Sequence, residues 1–117
     1  MSTGTKITVW QQNGFSIIDI VGNLDLSCAY KLKEVVTRVA GGTAEGVVID
    51  LAEVPYLDSS GIGVLVYANS LYRSNETSLR IAGVHGSPRQ VLELTKLTGF
   101  LPLTDSVATA LEEMRSS

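Results

Sequence analysis

Apolar and polar residues alternate around Ile7 and Val9, and the apolar set returns as Ile17, Ile18 and Ile20 beyond Asn13-Gly14. Asn and Gly both tolerate positive φ, so the spacing predicts an opening hairpin of two strands joined by a tight two-residue turn. From Leu26 the period lengthens. Ala29, Leu32, Val35, Val36 and Val39 recur at helical intervals, with Lys31, Lys33, Glu34 and Arg38 on the other side, and Gly41-Gly42 stops the helix. Val47-Val48-Ile49-Asp50-Leu51 is then a short β-branched run between Gly46 and Pro55, the pattern of a buried strand.

No charged residue stands between Asp58 and Arg73, and a helix that is apolar nearly all round must be covered by protein or lipid. Gly61, Gly63, Asn69 and Ser70 interrupt a run already shorter than the roughly 18 to 20 apolar residues a membrane span needs. The segment predicts a core helix from about Ser59 to Arg73 whose amino-terminal tip reaches the surface, and membrane insertion is not expected. Leu79-Arg80-Ile81-Ala82 reads as another short strand, and Pro88 to Leu97 as a helix with Pro88 in its first turn and Gly99 past its end. Leu101 to Leu103 follows as a short edge strand. A last helix from Asp105 to Met114 carries the stripe Val107, Ala110, Leu111 and Met114. Strands alternating with helices after a hairpin predict an α/β fold, a single domain over 1–117 with its core at about 5–115. In it, about four helices cover a mixed sheet of about four to five strands.

Composition narrows the partners. The 117 residues suffice for one core and not for a second domain, and 44% hydrophobic with 18% charged residues is a globular balance. Nine basic residues against twelve acidic ones give a net charge of -3 with no Lys/Arg cluster, so no nucleic-acid partner is expected and a protein partner is. Cys28 is the only cysteine and cannot form an internal disulfide. The first residues lack the apolar core of a signal peptide, so the expected location is cytoplasmic. One His and one Cys leave too few soft ligands for structural zinc, and neither metal nor cofactor is expected.

Candidate chemistry concentrates in Tyr56-Leu57-Asp58-Ser59-Ser60-Gly61-Ile62-Gly63, where a strand passes into the uncharged helix. Asp58, Ser59 and Ser60 all carry oxygens that can cap a helix start. The serines can also be read as modifiable hydroxyls, since a phosphate at a helix amino terminus meets free N–H groups and a favourable dipole. Gly61 and Gly63 follow a strand, but Val66 occupies the third glycine position of a dinucleotide loop, so close packing of the helix start on the sheet explains them better. A serine hydrolase lacks both its Gly-x-Ser-x-Gly elbow and a base, His85 being a solvated loop residue in a Gly-rich turn. Asp25 ends the segment Gly22-Asn23-Leu24-Asp25; it either caps the first helix or joins Asp58 in a polar rim, if the two strand ends share one sheet edge. Tyr67 and Tyr72 read as packing residues with wet hydroxyls.

With these elements in order, the sequence resembles the STAS domain, the module shared by sulphate-transporter tails and bacterial anti-sigma factor antagonists. The resemblance spans nearly the whole chain. It rests on Gly22-Asn23-Leu24-Asp25, on Val48-Ile49-Asp50-Leu51 with the segment from Tyr56 to Gly63, and on Leu97-Thr98-Gly99 before the final helix. Asp58-Ser59-Ser60-Gly61 is its specific part. In the stand-alone antagonists, the first hydroxyl after this aspartate is phosphorylated by an anti-sigma factor that is itself a serine kinase. The resemblance therefore implies Ser59 as the modified residue, with Ser60 as second choice. It implies partner switching: the unphosphorylated protein binds the anti-sigma factor and frees the sigma factor, phosphorylation releases it, and a PP2C-type phosphatase resets it. ATP belongs to the kinase, so the chain is implied to be ligand and substrate rather than enzyme. Asp25, Asp58, Ser59, Ser60 and Gly61 are implied to form the partner-binding surface. Cys28 departs from relatives that often carry Thr or Asn there, and a thiol is the poorer helix cap. With no apolar segment ahead of it, the chain resembles a stand-alone antagonist more than a transporter tail. The alternative in the same family is a non-phosphorylated scaffold subunit of a transporter or signalling complex.

Overall fold

In the computed structural model, which describes residues 4–116, β1 (Lys6–Gln12) and β2 (Phe15–Val21) pair antiparallel. Their turn holds Asn13 at φ 52° and Gly14 at φ 91°, the two positive values its sequence predicts. Met1, Ser2, Thr3 and Ser117, the ends of the expected domain, lie outside the described residues. Three parallel strands, β3 (Gly46–Glu53), β4 (Ser78–Ala82) and β5 (Leu103–Thr104), complete a mixed sheet of order β1-β2-β3-β4-β5. The helices are α1 (Leu26–Ala40), α2 (Ser59–Ser74), α3 (Gly86–Leu94) and α4 (Val107–Arg115).

Successive side chains of β2 point to opposite sides of the sheet, and both sides are apolar. Ile18 and Ile20 pack with Leu32 and Val36 of α1, Leu65 and Tyr72 of α2, and Leu92 of α3. Phe15 and Ile17 meet Ala110, Leu111 and Met114 of α4 on the other side. Burying each large aliphatic group contributes about 1.5–3 kcal/mol, so the face carrying α1 and α2 holds most of the stability. Among the described residues, no helix is long and apolar enough to cross a membrane.

Three details differ from the sequence reading. The third helix ends at Leu94 rather than Leu97, because Lys96 takes a left-handed φ of 61°. The Lys96 and Leu97 N–H groups then donate to the Glu93 and Leu92 carbonyls, a Schellman ending without glycine. The last strand falls two residues late: Leu101 fills the core, and it is Leu103 and Thr104 that pair with β4. Tyr72 is fully buried and its hydroxyl donates to the Val36 carbonyl (2.8 Å), so it is not wet; the Tyr67 hydroxyl meets Thr37 Oγ1 at 2.7 Å.

Candidate partner-binding site

Because β2 and β3 are parallel neighbours, the chain leaves both at one edge of the sheet. There Leu24 and Leu57, both buried, bridge the two exits. The Leu24 N–H donates to the Tyr56 carbonyl (2.9 Å) and the Asp58 N–H to the Leu24 carbonyl (3.3 Å). An aspartate follows each leucine and caps a helix. Asp25 Oδ1 accepts from the Ser27 N–H (3.0 Å) and hydroxyl (2.6 Å) at the start of α1. Asp58 Oδ1 accepts from the Ser60 N–H (2.9 Å) and Gly61 N–H (3.2 Å) at the start of α2. The bridge therefore brings Asp25 and Asp58 to one edge, where Asp25 caps α1 and lines the same crevice as Asp58.

Gly61 explains how α2 can begin so close to the bridge. A Cβ built there would lie 2.6 Å from the Leu24 carbonyl oxygen and 2.7 Å from Leu57 Cδ1, where only hydrogen fits. Gly61 is buried, so it shapes the site from beneath rather than lining its surface. At Gly63 the packing explanation fails: nothing lies within 4 Å of its Cβ position and the residue is exposed.

The two serines occupy different surroundings. Since Asp58 supplies the cap, neither serine is needed for it. Ser59, first residue of α2, is exposed, and among the described residues its hydroxyl makes no hydrogen bond; Ser60 is half-buried. A crevice of about 430 Å³ is lined by Asp25, Leu26, Ser27, Tyr56 and Asp58, the residue before Ser59. Cys28 is buried with its thiol 3.3 Å from the Asn23 carbonyl, and the cap that a thiol supplies poorly comes from Asp25 instead. His85 is exposed as expected, but its Nε2 is tied to the Ala52 carbonyl (3.0 Å). Sequence reading missed Leu26 as a surface residue, because it heads the apolar series of α1; it is 75% exposed.

A family model for the STAS domain matches residues 6–110. The chain belongs to the STAS domain family. Among the relatives of this STAS domain, the anti-sigma-B factor antagonist of Listeria monocytogenes is 33% identical over 88 residues, 74% of this chain and 75% of the relative. The anti-sigma-B factor antagonist of Staphylococcus aureus is 27% identical over 100 residues, 86% of this chain and 93% of its own. A solved anti-sigma factor antagonist from Mycobacterium paratuberculosis superposes on this STAS domain with a TM-score of 0.85 at 25% identity, covering 96% of this chain and 95% of that one.

Proposed function

We propose that this chain is a cytoplasmic anti-sigma factor antagonist that is switched by phosphorylation at Ser59. The observation that carries the reading is the exposed Ser59 hydroxyl at the first position of α2, which makes no hydrogen bond among the described residues and directly follows Asp58, a lining residue of the surface crevice. Unphosphorylated, the surface around Asp25, Asp58, Ser59 and Ser60 binds an anti-sigma factor that is also a serine kinase, and the sigma factor goes free. The kinase transfers the γ-phosphoryl group of ATP to Ser59 Oγ; ADP leaves, and the hydroxyl proton passes to a base of the kinase. A PP2C-type phosphatase returns the serine by hydrolysis.

The fold tolerates the product better than the complex does. A phosphate adds about 1.5 to 2 negative charges, which the amino terminus of α2 accommodates through its dipole. For a docked partner the same group is new bulk and charge, and beside the Asp58 carboxylate it concentrates negative charge where the partner must close out water. The chain acts by binding and supplies no catalytic group.

Intact-mass spectrometry after incubation with ATP and each kinase-type anti-sigma factor of the same cell tests the site. One phosphate is expected on the parent and on Ser60→Ala, and none on Ser59→Ala. A phosphate kept by Ser59→Ala and lost by Ser60→Ala moves the switch to Ser60. No phosphate with any kinase, together with binding to a transporter or signalling protein, supports the scaffold alternative.

A further inference from the structure

Leu26, Tyr30 and Tyr56 are large apolar side chains left 75%, 61% and 47% exposed. Leu26 and Tyr30 stand four residues apart on α1 and share one face, while Leu26 and Tyr56 line the same crevice as Asp25 and Asp58. The buried positions of α1 are Cys28, Ala29, Leu32 and Val36, so neither Leu26 nor Tyr30 holds the helix to the sheet. Exposed apolar groups gathered at one place and rimmed by polar residues mark an interaction surface, and large buried anchors near its centre dominate affinity.

The aspartates add a direction. Asp25 and Asp58 each use Oδ1 for their own helix, and among the described hydrogen bonds Oδ2 of each has no donor. A basic side chain arriving between Leu26 and Tyr56 meets two carboxylates with an acceptor to spare. We infer that Leu26, Tyr30 and Tyr56 form the apolar anchor for the anti-sigma factor, which covers them with an apolar patch carrying a basic side chain aimed at Asp25 and Asp58. This assignment rests on the antagonist reading above. Asp58 of this patch directly precedes Ser59, so the bulk of a phosphate on Ser59 would hold the partner off the anchor.

Calorimetric titration of the anti-sigma factor into the parent, Leu26→Ser, Tyr30→Ser and Tyr56→Ser tests it. Leu94→Ser is the control, removing an apolar side chain that is 82% exposed on α3. Each of the three variants is expected to bind at least about 10-fold more weakly while melting like the parent, and Leu94→Ser to bind as the parent does. If one variant melts early, the other two carry the comparison. A parent that binds while all three variants bind equally well overturns the anchor and leaves the antagonist reading standing. A parent that binds no anti-sigma factor overturns both.

Discussion

Gly61 and Gly63 lie two residues apart on α2, and the same substitution at the two positions has opposite consequences. Gly61→Ala places a methyl group 2.6 Å from the Leu24 carbonyl oxygen, 2.7 Å from Leu24 Cγ and 2.7 Å from Leu57 Cδ1. The oxygen is backbone in a bridge that also accepts from the Asp58 N–H, so it cannot swing aside as a flexible side chain does. Overpacking of this kind costs about 1–3 kcal/mol, with the rigid neighbour placing it at the upper end, and the helix preference for Ala over Gly returns about 1 kcal/mol. The net expectation for Gly61→Ala is a loss of about 2 kcal/mol, a melting temperature lower by roughly 8 °C in a domain of this size. Gly63→Ala meets nothing within 4 Å and keeps the helix preference, so it gains up to about 1 kcal/mol. Urea unfolding of the parent and both variants, followed by circular dichroism, reads the two changes directly. A Gly61→Ala protein as stable as Gly63→Ala would refute the close approach of α2 to the Leu24–Leu57 bridge, on which the placing of Ser59 depends.

Ser59→Asp is expected to melt within about 0.5 kcal/mol of the parent, since an acid in a first helical turn is tolerated, yet to bind the anti-sigma factor more weakly by calorimetry. Asp19 faces Asp50 across β2 and β3; burial first, then Asp50 and Glu53, raise its pKa above the ordinary value of 3.8. The folded state holds that proton more tightly than the unfolded one, so stability falls as pH rises from the unfolded pKa through the raised folded pKa and stays lower at neutral pH. Asp19→Asn should therefore gain up to about 1 kcal/mol at pH 7, a gain that vanishes in urea titrations below about pH 4. Tyr72→Phe keeps the buried ring but removes the donor to the Val36 carbonyl, and urea unfolding should show a loss of about 1 kcal/mol.

Much of this was legible in the chain because the local signals and the tertiary packing agree. Asn13-Gly14 sets its hairpin by φ alone, and the change of period at Leu26 and the uncharged run after Asp58 place the starts of α1 and α2 correctly. Where a local signal has a tertiary competitor, the packing wins. Gly99 suggested a late end to α3, but the chain terminates that helix with Lys96, a residue type that gives no warning of positive φ. Leu101 looks like strand and is core filler. At the site, the residue types were visible while their division of labour was not: that Asp58 caps and leaves Ser59 unused depends on a backbone orientation that three adjacent capping-competent residues do not specify. The meeting of Asp25 with Asp58 depends on the parallel pairing of β2 with β3, which joins residues more than thirty positions apart. Leu26 and Tyr30 carried a faint signal, an apolar pair four apart and out of phase with the Ala29, Leu32 and Val36 stripe.

If a phosphate on Ser59 ends the binding of an anti-sigma factor, as proposed, calorimetric titration of that factor will separate two preparations. One is the unmodified protein; the other is the same protein carrying a single phosphate, its position established by fragment mass spectrometry. Measurable binding to the unmodified form is expected, with at least about 10-fold weaker binding to the phosphorylated form, recovered after phosphatase treatment. Equal affinity for the two forms would contradict it.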